Sequence, residues 1–491
     1  MSAHATSSRA NAFPPLSNAD SAQSGHKGDV HKGGGHVLVE RTTSSTDVEN
    51  PNSNAHLPDR LQQREYRVYK RRFWGLAQLV LLNIVISWDW LTFAAVSDTS
   101  SQFFRVSESA VNWLSIAFLF AFVAAAPFTI WLLNHHGPKA SILLASILTL
   151  AGNWIRYAGT RAGHGYFGVV MFGQILIGLA QPFVLASPTR YSQMWFSDAG
   201  RVSATAVASL ANPLGGALGQ LIGPLWATNL SGVPDMVLYT SIISTLAALP
   251  APFIPAKPPT PPSATAALEK LDLRRAASEL PRNGSFYLLL IPFSVYVGCF
   301  NSVSSLINQI FEPYGFSETD AGIAGGLLII VGLIASAIVS PIIDRTKAYL
   351  ITIKTLVPLI AICYILLIFM PGTRNVAGPF VVSSILGATS FALLPVALEL
   401  LSVTTLPVSP EVSSVIAWTG GQILGAIFII VMDALIAPNG WHGEPPDTAT
   451  RALIFQAVMA CIAVPFPMLL GLWNFRKVQV SAGEVRAGEG F

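Results

Sequence analysis

Twelve stretches of this chain are long and apolar enough to cross a bilayer as a helix, which takes about 20 residues. They fall at roughly 74–97, 112–134, 140–160, 167–187, 202–227 and 236–255, then 285–311, 320–343, 349–370, 377–406, 412–437 and 451–474. In hydrocarbon every backbone N–H and C=O must be bonded within the protein, so such runs select helices. Composition agrees: 52% of the 491 residues are hydrophobic and 11% charged, where ordinary soluble proteins carry about 25% charged residues. The fold class is therefore an all-α membrane protein with twelve transmembrane helices, six on each side of a polar break.

Five segments follow. Residues 1–66, rich in Ser, Asn, His and Gly, read as a disordered cytosolic tail. Residues 67–255 form a first six-helix half, 256–284 a cytosolic central loop, 285–476 a second half and 477–491 a cytosolic tail. The loop is Pro-rich at first and then reads EKLDLRRAASEL, a candidate for a short amphipathic helix on the membrane surface. Lys and Arg collect before span 1 (REYRVYKRR), after spans 2, 4, 6 and 8, and after span 12, which puts both termini in the cytosol. An even number of spans fits that orientation.

Chemistry is sparse. The chain carries no Walker A sequence, HExxH, GxSxG or paired Cys/His set, so a primary pump or membrane enzyme is disfavoured and no cofactor or metal is expected. Cys299, Cys363 and Cys461 read as small buried residues inside spans. Asn229-Leu230-Ser231 is a glycosylation sequon on the external side. The net charge of +3 reflects loop asymmetry and gives no reason to expect nucleic acid; the expected partners are the bilayer and a small organic solute, with the chain a monomer.

The two halves echo each other. WLLNHHGPKA follows span 2 and SPIIDRTKAY follows span 8, while GGALGQLIG in span 5 answers GGQILGAIF in span 11. The first pair resembles a degenerate form of the Gly-x-x-x-Asp-Arg-x-Gly-Arg-Arg turn of the major facilitator superfamily, with Asn134, Gly137 and Lys139 in one half and Asp344, Arg345 and Lys347 in the other. That resemblance implies two six-helix pseudo-repeats with a substrate site between them near the midplane. It also implies a latching role for these turns in gating.

The likeness narrows at YKRRFW (69–74), NWLS (112–115), GQILIGLAQPFVLASPTRYSQMWF (173–196), RVSATAVASLANPLGGALG (201–219) and FNSVSSLINQIF (300–311). These are similar to the feline leukaemia virus subgroup C receptor-related family, whose members include choline and ethanolamine transporters, some described as haem transporters, and a branch linked to lysosomal vitamin B6 export. The resemblance implies that Trp90 is a wall of a cation cage, and that Gln181 and Gln422 face the cavity. A tyrosine completing the cage in choline carriers falls at Asn301, a departure. Asp89 stands where the choline carriers have a neutral glutamine, a second departure.

The residues themselves add to this. A quaternary ammonium offers no N–H, so aromatic faces must hold it; Trp90 and Phe93, three apart, are expected on one face, with Trp88 directed elsewhere, against lipid or a neighbouring helix. A lone carboxylate in a span costs roughly 3 kcal/mol on insertion scales. For Asp89 three readings stand open: a substrate counter-ion or proton-coupling site, a pair with Arg156, or hydration in a vestibule. Glu399 reads as a cytosolic-side gate or helix-pairing residue. Arg156 is expected to snorkel, Asp433 to be solvated, Gln174 and Gln220 to bond between helices, and Asn308 and Gln309 to line the external path. Haem as cargo lacks a histidine in the spans. Two functions remain: a secondary transporter of a choline- or ethanolamine-like amine, with haem or pyridoxine as alternative cargo, or a receptor that keeps the fold without turnover. The plasma membrane is the expected location, with vacuole or endosome behind it.

Overall fold

Apolar runs separated by short polar turns become antiparallel helices, because each turn is too short for anything else. The computed structural model describes residues 67–161, 165–262, 280–346, 348–405, 408, 410–436 and 445–470. Its long helices are α1 (Arg72–Leu91), α2 (Glu108–His135), α3 (Pro138–Arg161), α4 (Phe167–Leu185), α5 (Asp198–Trp226) and α6 (Gly232–Ala248). The second set is α7 (Gly284–Phe311), α8 (Glu318–Thr346), α9 (Tyr349–Phe369), α10 (Ala377–Thr404), α11 (Pro410–Leu435) and α12 (Thr450–Ala463). Among the described residues, eleven helical segments meet the length and hydropathy needed to span a membrane. The twelfth, α5, is 29 residues long and is diluted by Asn212, Pro213, Gln220 and Pro224.

The two halves have the same wiring. In the first, α1 packs on α5, α2 on α4, and α3 on both α4 and α6; in the second, α7 packs on α11, α8 on α10, and α9 on both α10 and α12. The halves meet along α2 with α11 and along α5 with α8. The glycine echo seen in the sequence has this basis: Gly215 of α5 lies against the Ile84 carbonyl of α1, where a Cβ has no room, and Gly421 and Gly425 of α11 lie against Val297 and Asn301 of α7. Backbones at such seams approach closely because glycine presents no side chain.

The two ends of the bundle differ in charge. Lys70, Arg71, Arg72, Lys139, Arg190, Arg201 and Arg345 lie at one, called here the basic end. Asp98, Glu108, Glu312 and Glu318 lie at the other, the acidic end, where carboxylates of Asp98, Glu108 and Glu312 come within 4.8 Å of one another.

Two helices break where the sequence reading ran straight. Helix α1 stops at Leu91, passes through a 3₁₀ turn at Ala94–Val96 and resumes as Ser97–Phe104. Helix α4 stops at Leu185 and resumes at Ser187–Trp195, with Pro182 and Pro188 on either side of the break. The expected surface helix at EKLDLRRAASEL and both expected tails lie outside the described residues.

Candidate functional site

A cavity with about 1070 Å³ of atom-free space, part of it open to solvent, lies at the junction of the halves. Helices α1, α4 and α5 contribute one side; α7, α8, α9, α10 and α11 contribute the other. Most lining residues sit between about the middle of their helix and the basic end, Trp90 in the last turn of α1 being the main exception, and none is charged. The polar lining is small: Ser87, Gln181, Asn212, Asn301, Ser390 and Gln422, with the polar edges of Trp90, Tyr296 and Trp418.

Four of the residues singled out in the sequence meet here. Trp90, Gln181, Asn301 and Gln422 all line the cavity and are each no more than 5% exposed. Gly425 brings α11 so close to α7 that Asn301 Nδ2 donates to Gln422 Oε1 at 3.1 Å. Trp90 stacks on Phe118, ring centroids 6.3 Å apart, which fixes its plane. Among the described residues its indole N–H has no hydrogen-bond partner, nor has the Gln181 carbonyl oxygen. A buried polar group left unpaired costs about 1–3 kcal/mol, so a donor and an acceptor standing ready in one cavity mark a place for a polar ligand.

Asp89 and Phe93 lie elsewhere, which corrects their grouping with Trp90. The Asp89 carboxylate is fully buried among α1, α3 and α6: Asn153 Nδ2 donates to its Oδ2 at 2.6 Å, Ser244 donates to the same oxygen at 3.5 Å, and Arg156 Nη2 lies 3.5 Å from Oδ1. Arg156 also donates to the Asp89 backbone carbonyl at 3.0 Å and to Gln174 Oε1 at 2.9 Å, and Gln174 donates to the carbonyls of Asp89 (3.3 Å) and Trp90 (3.5 Å). Those carbonyls belong to the last turn of α1. Orphan carbonyls at a helix end need donors, and here α3 and α4 deliver them, so Arg156 and Gln174 cap the broken helix directly beneath Trp90. Phe93 keeps the helical register but lies a turn beyond Trp90, past the cavity, where its ring covers the Arg156 guanidinium at 5.2 Å. Of the three readings of Asp89, pairing with Arg156 is the geometry observed. Arg156 itself is 0% exposed rather than snorkelling.

On the acidic side of Asn301 the halves are stitched together. Asn112 and Gln309 exchange two hydrogen bonds of 3.1 and 3.0 Å, and Asn112 and Ser109 donate to Asp433 at 2.7 and 3.1 Å. Asn308 donates to Ser97 at 3.0 Å, Thr99 donates to Glu318 through N and Oγ1, and Gln220 donates to the Ser304 carbonyl at 2.6 Å. Asp433 is therefore bonded across the interface rather than simply solvated. Asn308 bonds across the seam, and Gln309 both bonds across it and lines a pocket at the acidic end together with Glu108, Glu312, Asp433 and Asp447.

The remaining expected residues are peripheral to the cavity. Glu399 is exposed near the basic end of α10. Asn134 bonds back to the Ile130 carbonyl at 2.8 Å, Gly137 turns the chain at φ +78° and Lys139 opens α3. Arg345 is exposed at the end of α8; the Asp344 side chain and Lys347 lie outside what is described. Trp88 stacks on Trp226 of α5 at 5.7 Å. Cys299 and Cys363 are buried as expected, whereas Cys461 is exposed. Among the lining residues that the sequence reading did not single out are Asn212, Tyr296 and Trp418. Trp418 precedes Gln422 by one turn on α11, a spacing that puts both on one face, and that signal was available.

A family model described as "Major Facilitator Superfamily" matches residues 79–430. The chain is 32% identical over 427 residues to "Solute carrier family 49 member A3" of Xenopus tropicalis, covering 82% of this chain and 88% of that protein. It is 31% identical over 388 residues to "Choline/ethanolamine transporter FLVCR1" of Mus terricolor, covering 73% of this chain and 69% of that protein. Among solved structures it matches a bacterial homologue of the human lysosomal transporter Spinster in an inward-facing, unoccupied conformation, with TM-score 0.60, 16% identity, and 82% and 97% of the two chains covered. A D-xylose–proton symporter matches with TM-score 0.59 and 14% identity, covering 82% of this chain and 97% of that one. With its paired six-helix halves and central cavity, this chain is a multi-pass membrane transporter, not an enzyme, and belongs to the feline leukaemia virus subgroup C receptor-related family within the major facilitator superfamily.

Proposed function

We propose that the protein carries a small organic amine of the choline and ethanolamine class across its membrane by alternating access. The observation that carries this reading is the central cavity, where the face of Trp90, its unpartnered N–H and the unpartnered Gln181 oxygen meet beside the Asn301–Gln422 pair. A cationic head fits against the aromatic face, and a hydroxyl or amine on the same solute can accept from Trp90 N–H or donate to Gln181. Relatives named as choline/ethanolamine transporters support the same solute class.

Alternating access is supported by the contrast between the two ends. Rocking the halves about the α2–α11 and α5–α8 seams would break the acidic-end hydrogen bonds and close the basic end. By the positive-inside rule the basic end is proposed to face the cytosol, which would make the conformation described, with its cavity reaching toward that end, the inward-open one. The turns carrying Asn134, Gly137, Lys139, Asp344 and Arg345, together with Glu399, are proposed to act at the gate on that side. The plasma membrane is the proposed location.

Uptake of radiolabelled choline, ethanolamine and pyridoxine into cells expressing the protein tests the reading. Accumulation of choline or ethanolamine above control cells is the expected result. Accumulation of none of the three from mildly acid to neutral pH would overturn it; accumulation of pyridoxine alone would move the assignment to that cargo.

A further inference from the structure

The halves contribute unequally to the cavity. The two unpartnered polar groups, Trp90 Nε1 and Gln181 Oε1, both come from the first half. The second half supplies most of an apolar wall that runs from the midplane between α7, α9 and α10 toward the basic end. Three residues of α9 define it: Ile353, Val357 and Ile360, spaced four and three apart and so aligned on one face. Across from them stand Phe391 and Leu394 of α10 and Phe293 of α7.

This lobe breaks the pseudo-symmetry. Helix α9 answers to α3, and α3 contributes nothing to the cavity; its inward side is spent on Asn153 and Arg156, which fill the interior of the first half against α1 and α4. In the second half the equivalent helix instead borders the cavity with branched aliphatic side chains, Ile353, Val357 and Ile360, each no more than 2% exposed. An apolar recess continuous with a polar ligand position, and with no charged group in its wall, is shaped for the apolar part of a ligand whose polar part sits at Trp90 and Gln181.

We propose that the cavity is a two-part site for an amphipathic solute: a small polar head held at Trp90 and Gln181, and an alkyl or aryl body held in the α7–α9–α10 lobe. This rests on the central cavity being the solute site. It goes beyond the amine reading in naming a body that choline and ethanolamine lack.

Two ligand series separate the two ideas. The first is dimethylethanolamine carrying one N-alkyl group from methyl to octyl; the second is neutral N-alkyl acetamides of the same lengths. Binding is measured by titration calorimetry on the full-length protein in lipid nanodiscs, with empty nanodiscs as the partition control. In the wild type each added methylene should tighten binding about fourfold until the lobe is full. Val357→Trp should remove that gain, so that the octyl and methyl compounds bind with similar affinity. Val357→Ala, which preserves folding if the larger side chain does not, should move the best length one or two carbons longer. Flat affinity along both series, or a gain equal in wild type and Val357→Trp, would overturn the lobe. If the acetamides show the gain and no ammonium compound binds, the lobe stands and the amine reading fails. If choline is taken up and length changes nothing, the amine reading stands and the lobe falls.

Discussion

Trp90 and Asp89 are neighbours in sequence with separate tasks. The indole faces the cavity and the carboxylate faces away, into a cluster with Asn153, Arg156 and Ser244. Replacing Trp90 by Ala removes both the ring face and the free N–H. A desolvated cation over an aromatic face is worth about 2 kcal/mol, so apparent affinity should fall roughly 30-fold. Trp90→Phe should keep a part of that, and radiotracer uptake against concentration reads both. Asp89 predicts a different phenotype. Removing one partner of a buried ion pair costs about 3–5 kcal/mol because the other charge is stranded. Asp89→Ala should therefore lower the melting temperature sharply, and the double variant Asp89→Asn with Arg156→Gln should recover much of the loss. Uptake by that double variant should keep the wild-type pH profile; a flattened profile would return Asp89 to proton coupling.

At the scale of helices, the seams set what a substitution can do. A Cβ at Gly387 of α10 would strike the Leu328 carbonyl of α8, and neither backbone can yield without parting the helices. Gly387→Val should cut the yield of folded protein severalfold on size-exclusion chromatography, while the same change at Gly168, whose surroundings are open, should be neutral. Much at this scale was legible in the sequence. Twelve spans could be counted because apolar length alone decides whether a segment crosses, and GGALGQLIG and GGQILGAIF announced the glycine seams. The break in α1 was hidden: SWDWLTF holds no Gly or Pro, and the donors that cap it, Arg156 and Gln174, arrive from helices α3 and α4. The inward face of α9 was hidden too. Beyond Thr352, Lys354 and Thr355 near its start, that helix is apolar on every side, and a helix without a polar stripe does not reveal which face meets protein and which meets lipid.

For the whole molecule, the relevant energy is that of the closed acidic end. Four of the eight hydrogen bonds named there are between neutral groups, each worth about 1 kcal/mol net, and four accept at the carboxylates of Asp433 and Glu318, each worth about 1.5–3 kcal/mol; opening this end must offset that layer, in part through ligand binding. Asn112 donates into both Gln309 and Asp433 and accepts from Gln309. Asn112→Ala should shift the resting population toward opening at this end. Spin labels at Asp235→Cys and Asn375→Cys, exposed sites on opposite halves, should report a longer distance component in the variant. An unchanged distribution would mean that the α2–α11 seam does not govern the switch.

The uneven wall of the cavity has an evolutionary reading. When the groups that recognise a polar head lie in one half and the surface that accommodates a body lies in the other, the two properties can drift independently after gene duplication. A chimaera joining residues 67–255 of this chain to the second half of a choline-carrying relative should then retain preference for the head while exchanging tolerance for the body. Relatives with near-identical first halves could differ widely in cargo, and sorting them by their ninth helix would group them better than sorting by overall identity.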